Sequence, residues 1–154
     1  MKNSVVTILF TLIFNSGFCQ EKIFFEKNAF EFYKKSILKK SKSRIKLNKK
    51  LEQGAVNPFW FPRCEKEIKI IEVDTVFDNR LIQIELPYIT DKQFKVKNSF
   101  KNTEYVCLDK AILINKNIVL VNINEIYKHH GIYYHIFLDM NGNILRYCQG
   151  GYIE

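Results

Sequence analysis

Glycine and proline are scarce in this chain of 154 residues, with six of the first and three of the second. That excludes collagen-like, linker-like and proline-rich disordered designs, which need far more of both. No glycine-rich phosphate loop, no Gly-x-Ser-x-Gly elbow and no Cys-x-x-Cys pair occurs in the sequence. The linear motifs of nucleotide binding, serine hydrolysis and dithiol exchange are therefore missing. Arginine is also rare, with four against twenty lysines in a chain of net charge +8. Arginine is the residue suited to bidentate phosphate and base contacts, so nucleic acid is not a favoured partner. Lysine, isoleucine, asparagine, phenylalanine and tyrosine are together the residues of AT-rich codons, and codon composition accounts for much of the basic balance.

What is present begins with an export signal. Lys2 supplies a positive start and Val5 to Phe14 is an unbroken uncharged run. Ten residues rise only about 15 Å as a helix, half of a bilayer core, which is the length of a signal-peptide core rather than of a membrane span. Gly17 and Cys19 are small residues at the positions a signal peptidase reads. Cleavage after Cys19 makes residues 1–19 a signal peptide and residues 20–154 a single domain, placed in the periplasm or outside the cell. Lipid anchoring through Cys19 is the alternative, with bulky Phe18 against it. No later run is long and apolar enough to span a bilayer, because Lys or Asn interrupts each one. An apolar content of 47% is ample for a core without help from metals or disulfides, and no cofactor is expected. Cys64, Cys107 and Cys148 remain; in an oxidising compartment one pair forms and one thiol is left over, and the sequence leaves the pairing open.

Residues 22–52 read as helical. Ile23, Phe30, Tyr33 and Ile37 recur at helical spacing, Ala29 and Phe32 widen that face, and Gly54 with Asn57-Pro58 supplies a stop. From Lys34 to Lys50 the chain carries nine basic residues and no acid, a density that strains an isolated helix and predicts fraying or a break near Ser41 or Ser43. Such a run reads first as a solvated face. As a site it offers Lys39, Lys40, Lys42 and Arg44 to an acidic protein or an anionic surface polymer. Asn57 to Pro62 brackets Phe59, Trp60 and Phe61 between prolines on an extended path. The three rings read as a loop laid on the core, or as a stacking platform for a ligand.

From Glu67 onward the pattern is that of strands. Ile68–Phe77 and Leu81–Leu86 meet at Asp78-Asn79, with a bulge at Ile70-Ile71; Phe94–Phe100 is a lysine-rich edge strand. Tyr105–Ile114 and Ile118–Ile126 form a hairpin around Asn115-Lys116-Asn117. Ile132–Met140 and Asn143–Gln149 form another around Asn141-Gly142. One helix followed by a run of strands predicts an α+β fold, with the N-terminal helix packed on an antiparallel meander.

A two-residue loop at Asn141-Gly142 sets Leu138 opposite Leu145, Ile136 opposite Tyr147 and Tyr134 opposite Gln149, the more apolar side. On the other side His135 faces Cys148, Phe137 faces Arg146 and Asp139 faces Ile144. Directly opposed Cβ atoms lie about 4.5–5.5 Å apart. Cys148 with His135 is thus the one candidate thiol–imidazole pair, lacking any identified oxyanion stabiliser. His129 and His130 read as a surface turn rather than metal ligands. Asp139, Asn141 and Asn143 imitate the start of a calcium loop, but Ile144 stands where its glycine is required and Gly150 where its glutamate is.

The signal ending Gly17-Phe18-Cys19-Gln20, with the runs Ala111–Ile114, Val119–Val121, Gly131–Tyr134 and Phe137–Ile144, resembles small exported proteins of the Bacteroidetes. The resemblance implies an envelope or extracellular location and supplies no activity. Such proteins often show a cysteine-glycine turn where this chain has His130-Gly131. A helix cradled by an antiparallel sheet is similar to cystatin-like and NTF2-like folds, a likeness of shape that does not give function. The leading expectation is a non-enzymatic exported domain that binds an envelope or extracellular partner, an immunity-type inhibitor being one form of it. The alternatives are a thiol enzyme using Cys148 and His135, or a small-ligand cup between helix and sheet.

Overall fold

The computed structural model describes residues 23–38, 44–54, 92–98, 100 and 103–153. The signal stretch, Lys39, Lys40, Lys42, the aromatic run Phe59–Phe61 and both strands expected between Ile68 and Leu86 lie outside the described residues. Helix α1 spans Phe25–Phe32 and continues as a π-helical turn over Tyr33–Ile37. Its inward face is the expected one: Phe25, Ala29, Phe30 and Tyr33 are buried, with Ile23, Phe32 and Ile37 packed beside them. Among the described residues no helix is long and apolar enough to cross a membrane.

The helix is shorter than its sequence suggested. It closes at Leu38, and Ile45–Asn48 forms strand β1. Repulsion along the basic run removes the local support for helix, while Ile45 and Leu47 alternate with Lys46 and Asn48. As a strand this segment buries Leu47 completely.

Six further strands complete one sheet: β2 (Phe94–Lys97), β3 (Tyr105–Leu108), β4 (Ile112–Asn115), β5 (Ile118–Ile126), β6 (His130–Asp139) and β7 (Ile144–Ile153). Their order is β2-β1-β3-β5-β6-β7, with β4 following β3 along the same edge of β5. β1 runs parallel to both β2 and β3; every other pairing is antiparallel. The fold is α+β, but the sheet is mixed rather than an antiparallel meander. Parallel neighbours cannot be joined by a tight turn, and β1 and β2 stand far apart in sequence, ending at Asn48 and beginning at Phe94. Periodicity marks a strand without revealing its direction, so the pattern alone could not show the parallel pairs.

The strand expected over Tyr105–Ile114 is interrupted at Asp109–Ala111. There the backbone serves other partners: Lys110 N–H donates to the Glu52 carbonyl at 2.9 Å, and Ala111 N–H donates to the buried Glu26 carboxylate at 2.9 Å. Burial is the main force pushing the Glu26 carboxyl above its ordinary range, opposed by that hydrogen bond. The contact ties α1 to the break between β3 and β4.

The last hairpin follows the expected pairing by a different route. Asp139 N–H donates to the Asn143 carbonyl at 3.0 Å, closing a loop of Met140, Asn141 and Gly142 with Gly142 at φ 80°. This is the three-residue hairpin loop with a left-handed final position, one residue longer than anticipated. The extra residue shifts Leu138 onto Ile144, and Leu145 then bulges out, restoring Phe137 opposite Arg146, Ile136 opposite Tyr147 and His135 opposite Cys148. The polar residues that imitated a calcium loop are occupied in building this turn. Asp139 accepts from the backbone N–H groups of Asn141 and Asn143 at 2.9 and 2.8 Å and from the Asn143 amide at 2.9 Å. Those bonds, the Asn143 side chain first, hold the Asp139 carboxyl below its ordinary range.

The loop is also latched to the helix, because Asn28 Nδ2 donates to the Gly142 carbonyl at 3.0 Å. A Cβ on Gly142 would stand 2.5 Å from Asn28 Nδ2 and 2.9 Å from Ile23 Cγ2. Gly142→Ala is therefore expected to destabilise the fold by about 1–2 kcal/mol through its positive φ and this crowding. Chemical denaturation measures it, and an unchanged urea midpoint would contradict the latch.

Candidate functional site

The β5–β6 ladder sorts side chains onto two faces. Val119, Val121, Ile123 and Glu125 share the helix side with Ile132, Tyr134, Ile136 and Leu138, while Leu120, Asn122 and Asn124 share the reverse side with Tyr133, His135 and Phe137. Each face carries an apolar cluster and one polar group of residues.

On the reverse face the polar group is a chain of hydrogen bonds. Asn122 Nδ2 donates to Asp109 Oδ2 at 2.9 Å, and Asn124 Nδ2 donates to Oδ1 at 3.3 Å. With its nitrogen turned to Asp109, Asn122 presents its oxygen to His135 Nδ1, 2.6 Å away. Nδ1 must then carry the ring proton, which leaves Nε2 a bare lone pair. That atom is buried and has no hydrogen-bond partner among the described residues. Burial pushes His135 down to about 4, so the imidazole is neutral. Burial, aided by the charge of Glu52 and opposed by the Asn122 hydrogen bond, pushes Asp109 up to about 7.

The register does bring His135 opposite Cys148, but Cys148 is disulfide-bonded. A sulfur in a disulfide offers no thiolate, so the pair holds no nucleophile. Its bonding partner is not Cys107, which is a free, buried thiol. Burial first, then the charges of Glu52 and Asp109, raises the Cys107 thiol well above its ordinary range. His129 and His130 are exposed at the β5–β6 turn, where the His130 ring stacks on Tyr127 at 4.6 Å. Among the described residues no group of three or more His, Cys, Asp or Glu is placed to hold a metal ion.

On the helix face, beyond the apolar cluster, a cavity of about 870 Å³ opens between the π-helical turn, β1 and the β5–β6 hairpin. Its polar centre is Glu125, 9% exposed. The Tyr33 hydroxyl donates to Glu125 Oε1 at 2.5 Å and the Tyr127 hydroxyl donates to Oε2 at 2.8 Å. Tyr134 faces the same carboxylate, and burial together with that charge pushes its phenol up to about 12. Burial and Glu125 raise the phenols of Tyr33 and Tyr127 further still. All three phenols keep their protons at any ordinary pH. The wide turn, closed by Leu38 N–H donating to the Tyr33 carbonyl at 2.8 Å, carries Ser36, Ile37 and Leu38 to the cavity wall. Such turns recur at functional sites.

Of the binding residues expected from the basic and aromatic runs, Arg44 alone is among the described residues; it is exposed and lines this cavity with Lys46 and Glu104. The Glu125–tyrosine cluster carries no linear motif. One signal for it did exist: the parity of Val119, Val121 and Ile123 puts the next alternate residue inward, and that residue is an acid.

Two outcomes are expected on the reverse face. The folded chain holds His135 near 4 against 6.5 for the free group, so acidification through that window costs stability. It holds Asp109 near 7 against 3.8, so rising pH through that window costs stability. The two trends oppose each other and flatten the wild-type profile. Urea midpoints between about pH 4.5 and 6.5 should slope more steeply upward with pH in Asp109→Asn than in the wild type and more steeply downward in His135→Asn, the raised Glu26 carboxyl being common to all three; parallel profiles would contradict the assignment. Cys107 should resist a thiol reagent in the folded chain and react on unfolding, and rapid native labelling would refute its burial. Comparison with known proteins finds no similar family model, no similar curated protein and no similar solved structure.

Proposed function

We propose that this chain is an exported, non-enzymatic domain that binds a small ligand in the cavity between its helix and its sheet. The observation that carries this reading is a carboxylate nine-tenths buried at the wall of a cavity of about 870 Å³. Small-molecule sites have this size, and the wall here joins aromatic rings to about as much polar as apolar surface, with Glu125, Arg44, Lys46 and Glu104 among its polar groups. A purely structural residue at the inward position after Ile123 costs least as another aliphatic, because burying a charge is expensive even when hydrogen-bonded.

The hydrophobic leader from Val5 to Phe14 supports the exported placement, and so does a disulfide at Cys148, since such bonds persist in oxidising compartments. The oxidised Cys148 favours binding over thiol catalysis. Arg44 and Lys46 at the cavity link it to the basic stretch, so a partner drawn to that stretch and a ligand in the cup would meet at one end of the molecule.

Screening small molecules by thermal melting tests the reading. A ligand at about a hundred times its Kd stabilises the folded chain by about 2.7 kcal/mol, enough to raise the melting temperature by several degrees. Ser36→Trp sets a large side chain at the cavity wall from an exposed helix position, where little core packing is lost. It should abolish the shift while leaving the unliganded melt nearly unchanged. Ligands that stabilise wild type and Ser36→Trp equally would place binding elsewhere.

A further inference from the structure

Resting on the reading of the cup as a ligand site, we infer that its occupant presents a protonated amine to Glu125. The hydrogen inventory of the cavity wall gives the reason. A phenol has one proton to donate, and Tyr33 and Tyr127 each commit theirs to the Glu125 carboxylate. What these groups still offer a ligand is the lone pairs of the half-buried Tyr127 oxygen and the unfilled lone-pair positions of the carboxylate, Tyr33 being fully buried behind them. A ligand carboxylate or phosphate would meet acceptors and a like charge there. An ammonium brings three donors and the opposite charge, and charge-assisted bonds are the stronger kind.

The surroundings agree with a cation. The rings of Tyr33 and Tyr134 stand 5.6 Å apart between centroids beside the carboxylate, with Tyr127 and Tyr105 also at the cavity wall. Aromatic walls stabilise an ammonium that leaves water. Three other charged groups reach the cavity: Arg44 and Lys46 from the β1 side, and exposed Glu104 just before β3. Arg44 and Lys46 line the same cavity, so a molecule that carries an anionic group besides its amine has cations to meet there.

Isothermal titration of the full chain with phenethylamine, phenylalanine and 3-phenylpropionate separates the possibilities, since the three share a ring and differ in charge. The first two are expected to bind and the third to fail. Glu125→Gln keeps an acceptor for the tyrosines and removes the charge; it should weaken the amines by about tenfold or more while its melt shows a folded chain. Should that variant fail to fold, Tyr127→Phe leaves the carboxylate and its ring in place and removes one acceptor oxygen, and should weaken the amines severalfold. Binding of 3-phenylpropionate as tight as that of the amines overturns the inference and leaves the cup a ligand site. A chain that answers to other compounds in the melting screen and to neither amine overturns it in the same way. A chain that answers to nothing removes both.

Discussion

Nine consecutive cross-strand pairs join β5 to β6, from Ile118 opposite Asp139 to Ile126 opposite Gly131. Side chains on a strand alternate with a period of two, so a slip of β6 by one residue against β5 would exchange the two faces of β6. Tyr134 and Ile136 would turn away from the helix, and Tyr133 with His135 would enter the core beneath it. The polar groups around Glu125 and His135 exist because this register holds. It places Glu125 on the helix side, within reach of Tyr33, and Asn122 on the reverse side, within reach of Asp109.

The helix contributes to the cup as much as the sheet does. Three polar contacts fix its position, from Glu26 to the break before β4, from Asn28 to the last hairpin, and from Tyr33 to β5. Two lie in the first turn and the third where the π-helical turn begins, so the helix is pinned at both ends rather than at one. The widening of its final turn follows Tyr33, whose ring is fully buried beside Tyr134. Packing that ring and aiming its hydroxyl at Glu125 are a single geometric requirement.

Much of this was legible in the residues. Alternation marked β5 and β6, and the Asn141-Gly142 pair announced the last hairpin with its two faces. The spacing of Ala29, Phe30 and Tyr33 gave the buried side of α1. Two features escaped for physical reasons. β1 sits in a lysine-rich segment whose apolar residues suit either period, and only its parallel neighbours, β2 and β3, make it a strand. The Glu125 cluster unites residues 92 positions apart, a distance that no local pattern spans. The exposed surface of Arg44 was visible as charge, but its place beside a cavity depends on tertiary packing.

The hairpin tip carries one residue more than the tightest turn, and Leu145, half exposed, absorbs the excess. Loop and bulge are thus two halves of a length balance. A chain that lost one residue from the tip without losing Leu145 would rotate the rest of β7, turning Arg146 and Cys148 toward the helix and Tyr147 away from Phe32, whose ring it meets at 5.4 Å. The bulge is therefore the place where this end of the molecule takes up a change of length, and the most exposed apolar residue of the turn region occupies it.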